Sequence, residues 1–235
     1  MKIIVTGASR GIGYELVRLL ARDSNHQILA VSRNHVGLEK LRQDCEGEPG
    51  KLQVLPFDLE MLEDIPIRFL PAVQEHFNSL DILVNNAGLL VNKPFEKLKL
   101  EELKRSLGVN YLAPVVLIQE LLPLLLKAQN PHVINISSMG GVQGSIKFPG
   151  LSSYSSSKAA LCVMTECLAA EFKDSPIRFN TLALGSVQTE MLEAAFPGYK
   201  APLMPAEMAA FIKEFAENGG TYFNGKIIPV SLSTP

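Results

Sequence analysis

The chain has 235 residues, 47% hydrophobic and 20% charged, enough to bury a sizeable core in one domain. A formal charge of −2 and an isoelectric point near 6.1 exclude the electrostatic footprint of a nucleic-acid binder or of a protein held on an anionic membrane. Cys45, Cys162 and Cys167 are widely split without a CxxC, and His26, His35, His76 and His132 are scattered, so free thiols in a reducing cytoplasm and no metal are expected.

Residues 2–5 form a short β-branched run that meets Thr6-Gly7-Ala8-Ser9-Arg10-Gly11-Ile12-Gly13, after which residues 14–20 show helical periodicity. The run begins without a basic leader, which predicts an unexported chain. In this strand, turn and helix unit, Gly7 suits a tight turn and Gly11 lets the backbone approach a pyrophosphate. Gly13 allows close packing of helix on strand, and the helix N-terminus faces the anion. The spacing G-x3-G-x-G departs from the general G-x-G-x-x-G, and by itself the stretch reads equally well as a plain turn.

A second strand over residues 27–31 ends at Ser32-Arg33, where an NAD-binding unit usually presents an acid to the ribose 2′-hydroxyl. The first carboxylate downstream is Glu39, so Arg33, with Arg10 of the glycine loop, is the candidate for a 2′-phosphate. Residues 44–51 compose a loop, and residues 52–57 a third strand ending at Asp58-Leu59, where an acid can accept the adenine amino group. Pro66 and Pro71 predict a broken or late-starting helix within residues 60–77. The fourth strand, residues 81–84, runs into Asn85-Asn86-Ala87-Gly88, whose Asn side chains can bond backbone on both sides.

A helix from Glu101 carries Asn110 inside an apolar stretch, either exposed or bonded to something buried. Pro114 and Pro123 bracket its leucine-rich continuation, and the apolar run 112–126, interrupted by Gln119-Glu120, reads as too short to span a bilayer. Residues 132–136 are the fifth strand, leading to Ser137-Ser138-Met139-Gly140-Gly141, small residues at a strand end where α/β sheets place ligands. After the loop 142–153, Tyr154 and Lys158 stand four apart at the head of an apolar helix, on one face of it. At an assumed ~5 Å and an effective dielectric of ~20, the ammonium favours phenolate by roughly 3 kcal/mol, or about two pKa units, making Tyr154 a candidate general acid/base. A sixth strand over residues 177–183, a helix over 205–217 and a seventh strand over 226–230 complete the alternation. The pattern predicts one α/β domain over residues 1–235, a doubly wound seven-stranded parallel sheet with helices on both faces.

Taken in order, Thr6 to Gly13, Asp58-Leu59, Asn85 to Gly88, Asn110, Ser137-Ser138, Tyr154 with Lys158, and Asn180 to Met191 resemble the short-chain dehydrogenase/reductase family over nearly the whole chain. The resemblance implies a Rossmann-type fold and an NADP(H)-dependent oxidoreductase that interconverts a ketone or aldehyde with an alcohol. By it, Tyr154 is the acid/base, Ser138 steadies the substrate oxygen, Lys158 binds the nicotinamide ribose, and Asn110 holds a water linking Lys158 to solvent. The cofactor set comprises Gly7, Ser9, Arg10, Gly11, Ile12, Gly13, Arg33, Asp58, Leu59, Asn86, Ala87, Gly88, Tyr154, Lys158, Gly185, Val187 and Thr189.

Three departures stand out. Leu184-Gly185 replaces the usual Pro-Gly and predicts a looser turn; the long interval from Ser138 to Tyr154 predicts a loop bulging over the site; and Ser231-Leu232-Ser233 replaces an acid and glycine pair. The stiff segment 191–204, with Met139, Val142, Leu151, Met191 and Phe196 as expected pocket walls, suits a small apolar carbonyl substrate. Lys127 and Lys173 offer little basic surface for a 3-oxoacyl thioester on a carrier, the alternative substrate. A non-catalytic dinucleotide-binding regulator is the rival from another class, and the Asn110, Ser138, Tyr154 and Lys158 set argues against it. The apolar helices around residues 115–126 and 159–172 predict a homodimer or homotetramer.

Overall fold

The computed structural model describes residues 1–232; Ser233 lies outside them. The strands are β1 (Lys2–Thr6), β2 (Gln27–Ser32), β3 (Lys51–Pro56), β4 (Ile82–Asn85), β5 (His132–Ser138), β6 (Arg178–Leu184) and β7 (Lys226–Val230). They form one all-parallel sheet in the order 3-2-1-4-5-6-7, so strand order reverses between β1 and β4 and opens a crevice at their carboxyl ends. The helices are α1 (Gly11–Leu20), α2 (His35–Asp44), α3 (Leu70–His76), α4 (Leu100–Leu107), α5 (Ala113–Leu125), α6 (Ser152–Glu171), α7 (Glu190–Ala195) and α8 (Pro205–Asn218).

Period-two alternation divides the apolar strand residues between two cores, one on each face of the sheet. Ile3, Val5, Ile28, Val84, Ile134 and Leu182 pack with α1, α2 and α8. Ile4, Leu29, Leu83, Val133 and Phe179 pack with α3, α5 and the partly buried Met164 and Leu168 of α6. At ~25 cal/mol per Å² of apolar surface removed from water, these two layers are what hold the strand ends in place.

Proline and packing compete at the helix boundaries. A wide turn at Ile65–Phe69 precedes α3, which starts late, with Pro71 in its first turn where a missing N–H costs little. Pro114 occupies the same position in α5, whereas Pro123 lies inside that helix. The buried Leu121, Leu124 and Leu125 hold the helical path on either side of that lost hydrogen bond. A second wide turn, Gly108–Leu112, joins α4 to α5 without a break. The resulting stretch, Leu100–Leu125, is 26 residues, longer than the apolar run within it, and by length and composition alone is enough to cross a membrane. In the fold, Leu117, Ile118, Leu121, Leu124 and Leu125 are spent covering the sheet. Leu112, Leu126 and, on α6, Val163 remain exposed.

Candidate active site

The glycine loop owes its shape to contacts with the end of β4. Gly7 has φ +69, and a Cβ there would lie 2.8 Å from Ala87 Cα; a Cβ on Gly13 would lie 2.5 Å from Gly7 O and from Asn86 Nδ2. No other residue fits either place. Asn86 Nδ2 donates to Thr6 O (2.9 Å) and Gly7 O (3.3 Å), while Thr6 Oγ1 accepts from the backbone N–H groups of Asn86 and Ala87, each at 3.0 Å. The loop is thereby fixed to the sheet on both sides, and α1 begins at its end.

Ser138 is the last residue of β5, and Tyr154 and Lys158 lie one turn apart near the start of α6. The Tyr154 hydroxyl is hydrogen-bonded to the Ser138 side chain, whose Oγ also accepts from Gly140 N at 3.2 Å. Lys158 is 2% exposed and donates from Nζ to Ile136 O at 2.7 Å. Ser137 Oγ donates to Lys158 O (2.9 Å) and accepts from Cys162 Sγ (3.3 Å), pinning this part of α6 against β5.

Asn110 is fully buried in the wide turn after α4. Its Nδ2 donates to Leu89 O (2.8 Å) and Ser157 Oγ (2.9 Å), and its Oδ1 accepts from Leu89 N (2.8 Å). A Cβ placed on Gly88 would lie 3.5 Å from Asn110 Oδ1 and 3.7 Å from Lys158 Nζ, so the two side chains converge on one point.

Burial raises the Tyr154 phenol above its ordinary 10, with the Ser138 hydrogen bond acting in the opposite sense. Burial also pushes the Lys158 ammonium down to about 8. The expected lowering of Tyr154 by its neighbour is therefore corrected. Desolvation penalises phenolate and ammonium alike, and it is the largest cause of the shift in each.

These groups open on a cavity of about 550 Å³ at the carboxyl ends of the strands. Of the residues singled out in the sequence, Gly7, Ser9, Arg10, Gly11, Ile12, Asn86, Ala87, Gly88, Gly185, Val187 and Thr189 line it alongside Ser138, Tyr154 and Lys158. Met139, Leu151, Met191 and Phe196 line its apolar part with Leu192 and Tyr199 of the segment 191–204, joined by Leu90, Ile146 and Phe148, which carry no signal in the sequence. Gly13 sits beneath the loop and Asn110 behind Lys158. Val142 does not line this cavity; it faces an adjoining groove with Phe95 and Pro149. Leu59 is buried in the core with Phe57, because the chain turns inward after β3.

Two segments roof the cavity. The loop before α6 meets the end of α7 through Phe148 and Phe196, whose ring centroids are 6.3 Å apart in an edge-on arrangement. Asn92 Nδ2 donates to Ala195 O (2.7 Å) and Lys93 N to Gly150 O (2.9 Å), tying both segments to the irregular stretch following β4. Thr189 caps α7, a helix the sequence pattern did not announce, by accepting from Leu192 N at 3.2 Å. Leu184 is buried and paired in register with Ser138 and Val230, so the turn expected to loosen is anchored by strand pairing instead.

Arg33 and Asp58 stand outside the cavity, at the exposed ends of β2 and β3. Ser32 Oγ donates to Ser9 Oγ at 2.8 Å and ties that end of β2 to the glycine loop. Arg33 Nη1 lies 2.6 Å from Glu60 Oε1, and Glu60 is also gripped by Arg105. Neither Glu60 nor Arg105 carries a local signal in the sequence, since 45 positions separate them. Among the described residues no group of three His, Cys, Asp or Glu side chains gathers at metal-ligand spacing.

Residues 1–200 match the family model described as short chain dehydrogenase. The 3-oxoacyl-acyl-carrier-protein reductase FabG of Thermotoga maritima is 28% identical over 238 residues, spanning 97% of this chain and 94% of the relative. RhlG of Pseudomonas aeruginosa, solved as an active-site complex with NADP, superposes with a TM-score of 0.85 at 29% identity, covering 98% of this chain and 94% of that one. A 4-hydroxyisoleucine dehydrogenase complexed with NADH shares the fold at a TM-score of 0.85 and 24% identity, covering 98% of this chain and 96% of that one.

Proposed function

Because the chain belongs to the short-chain dehydrogenase/reductase family of oxidoreductases, we propose that it is an NADP(H)-dependent enzyme that interconverts a small apolar ketone or aldehyde and an alcohol. The observation that carries the reading is the meeting of Ser138, Tyr154 and Lys158 at one largely apolar cavity, floored by a glycine loop that leaves room for a dinucleotide. Gly7 of the glycine loop, with Gly11 and Ile12 at the start of α1, suits a pyrophosphate, and Val187 and Thr189 suit a carboxamide. A bound nicotinamide supplies the hydride.

The protein's own part is proton transfer and positioning. Tyr154, its pKa raised by burial, holds its proton at neutral pH and donates it from Oη to the carbonyl oxygen. Ser138 Oγ, already bonded to that hydroxyl, steadies the same oxygen. Lys158 Nζ, buried beside Gly88, is placed to hold a ribose hydroxyl, with Asn110 behind it on the side where a relay water would sit. The apolar roof of Phe148 and Phe196 favours uncharged substrates. Arg33, Arg10 and the lack of an acid at the end of β2 support NADP(H).

Exposed Leu112, Leu126 and Val163 support a homodimer or homotetramer, and three free thiols suit the cytoplasm. A monomer mass by light scattering at micromolar concentration would reject the association. Reduction of a 3-oxoacyl thioester is the second reading, supported by the name of the Thermotoga relative.

The test is NADPH oxidation by wild type and Tyr154→Phe, side by side, with a small diketone, an aromatic aldehyde and an acetoacetyl thioester. Turnover lost in the variant is expected, with kcat/KM highest for the diketone or aldehyde. Equal rates in both proteins remove Tyr154 from the mechanism. A preference for the thioester selects the second reading, and no turnover by either protein favours a dinucleotide-binding regulator.

A further inference from the structure

We propose that Arg105, acting through Glu60, is a positioning residue that sets the preference for a 2′-phosphorylated dinucleotide; the inference rests on the NADP(H) reading above. At the ends of β2 and β3, Arg33 faces two carboxylates, Glu60 Oε1 at 2.6 Å and Asp58 Oδ2 at 3.9 Å. Left with those two alone, its charge is more than cancelled, and a phosphate arriving at Arg33 meets a net negative site.

Arg105 changes that balance. From the last turn of α4 it grips Glu60 with two nitrogens, Nε to Oε2 at 2.7 Å and Nη2 to Oε1 at 2.8 Å. Such a planar two-point pair is the strongest form of the contact, and Glu60, only 23% exposed, is correspondingly held below the usual carboxylate range. Two guanidinium groups now face two carboxylates, so the cluster is neutral. Arg33 meets Glu60 through Nη1 alone, which leaves its other nitrogens without a partner in this contact and available to phosphate oxygens. The Ser32 to Ser9 hydrogen bond sets this cluster against the glycine loop, where Arg10 adds a further positive charge. Arg105 therefore acts without itself needing to touch the cofactor.

The experiment titrates NADPH and NADH separately into wild type, Arg105→Gln, Glu60→Gln/Arg105→Gln and Arg33→Gln, and reads the ratio of the two dissociation constants. Losing the equivalent of one charge-assisted contact predicts that Arg105→Gln lowers the preference for NADPH about tenfold. The double variant restores it, because Arg33 and Asp58 again balance. Restoration distinguishes charge balance from general damage to the fold, and NADH affinity in the same titrations reports that each variant is folded. A ratio within twofold of wild type in Arg105→Gln, while Arg33→Gln lowers it, overturns this inference and leaves the NADP(H) reading standing. Failure of the double variant to recover also overturns it. Wild type binding NADH more tightly than NADPH overturns the cofactor reading and this inference together.

Discussion

Replacing Lys158 with Met is expected to stabilise the protein without cofactor while abolishing turnover. The ammonium is 2% exposed, and its one hydrogen-bond acceptor is Ile136 O. Its pKa falls from 10.5 to about 8 in the fold, and at 1.36 kcal/mol per unit the charged form at neutral pH is penalised by about 3 kcal/mol. Met keeps the apolar stem and roughly the length, and gives up a hydrogen bond worth about 1 kcal/mol. The net expectation is a gain of about 2 kcal/mol at pH 7.

The pH dependence fixes the sign. Because the folded pKa is depressed, the penalty is fully present below pH 8, and wild-type stability recovers as the pH rises towards 10.5. The advantage of Lys158→Met should therefore be largest at pH 7 and shrink steadily above pH 8. Urea unfolding followed by far-UV circular dichroism at pH 7, 8.5 and 10 measures it, the chain having no Trp for fluorescence. A variant less stable than wild type at pH 7, or an advantage that does not change with pH, refutes the argument from desolvation.

His132 is buried with Nδ1 donating to Ala216 O (3.2 Å) and Nε2 accepting from Asn180 Nδ2 (3.0 Å), and burial lowers its pKa from 6.5 to about 4. Its depressed folded pKa contributes stability that is present above pH 6.5 and lost between there and pH 4, about 3 kcal/mol in all; urea midpoints of wild type and His132→Gln that fall in parallel over this range would contradict it. Gly13→Ala should cost at least ~2 kcal/mol through overpacking against Gly7 O and Asn86, and weaken cofactor binding as the loop shifts; unchanged unfolding and titration curves would show the loop to be yielding. Phe148→Ala and Phe196→Ala should each raise KM for apolar carbonyls, with a coupling of ~0.5 to 1.5 kcal/mol in the double variant, and strictly additive effects would mean that the edge-on contact does not close the roof.

The seven strands were legible because each is a short, largely apolar run alternating with helical segments, a pattern that leads to a parallel sheet covered on both faces. The spacing of Tyr154 and Lys158 is equally local, since four residues on any helix share a face. Local information stops at desolvation: only the packed structure shows that Lys158 is sealed against Ile136 O and that Tyr154 is pushed up rather than down. It stops also at the cost of proline: Pro123 removes a helical hydrogen bond, and only the packed structure shows Leu121, Leu124 and Leu125 held in the core on either side of it. The grip of Arg105 on Glu60, the meeting of Phe148 with Phe196 and the turning away of Val142 join or separate residues far apart in the chain. No periodicity records such contacts, because they arise when segments distant in the chain are brought together by the fold.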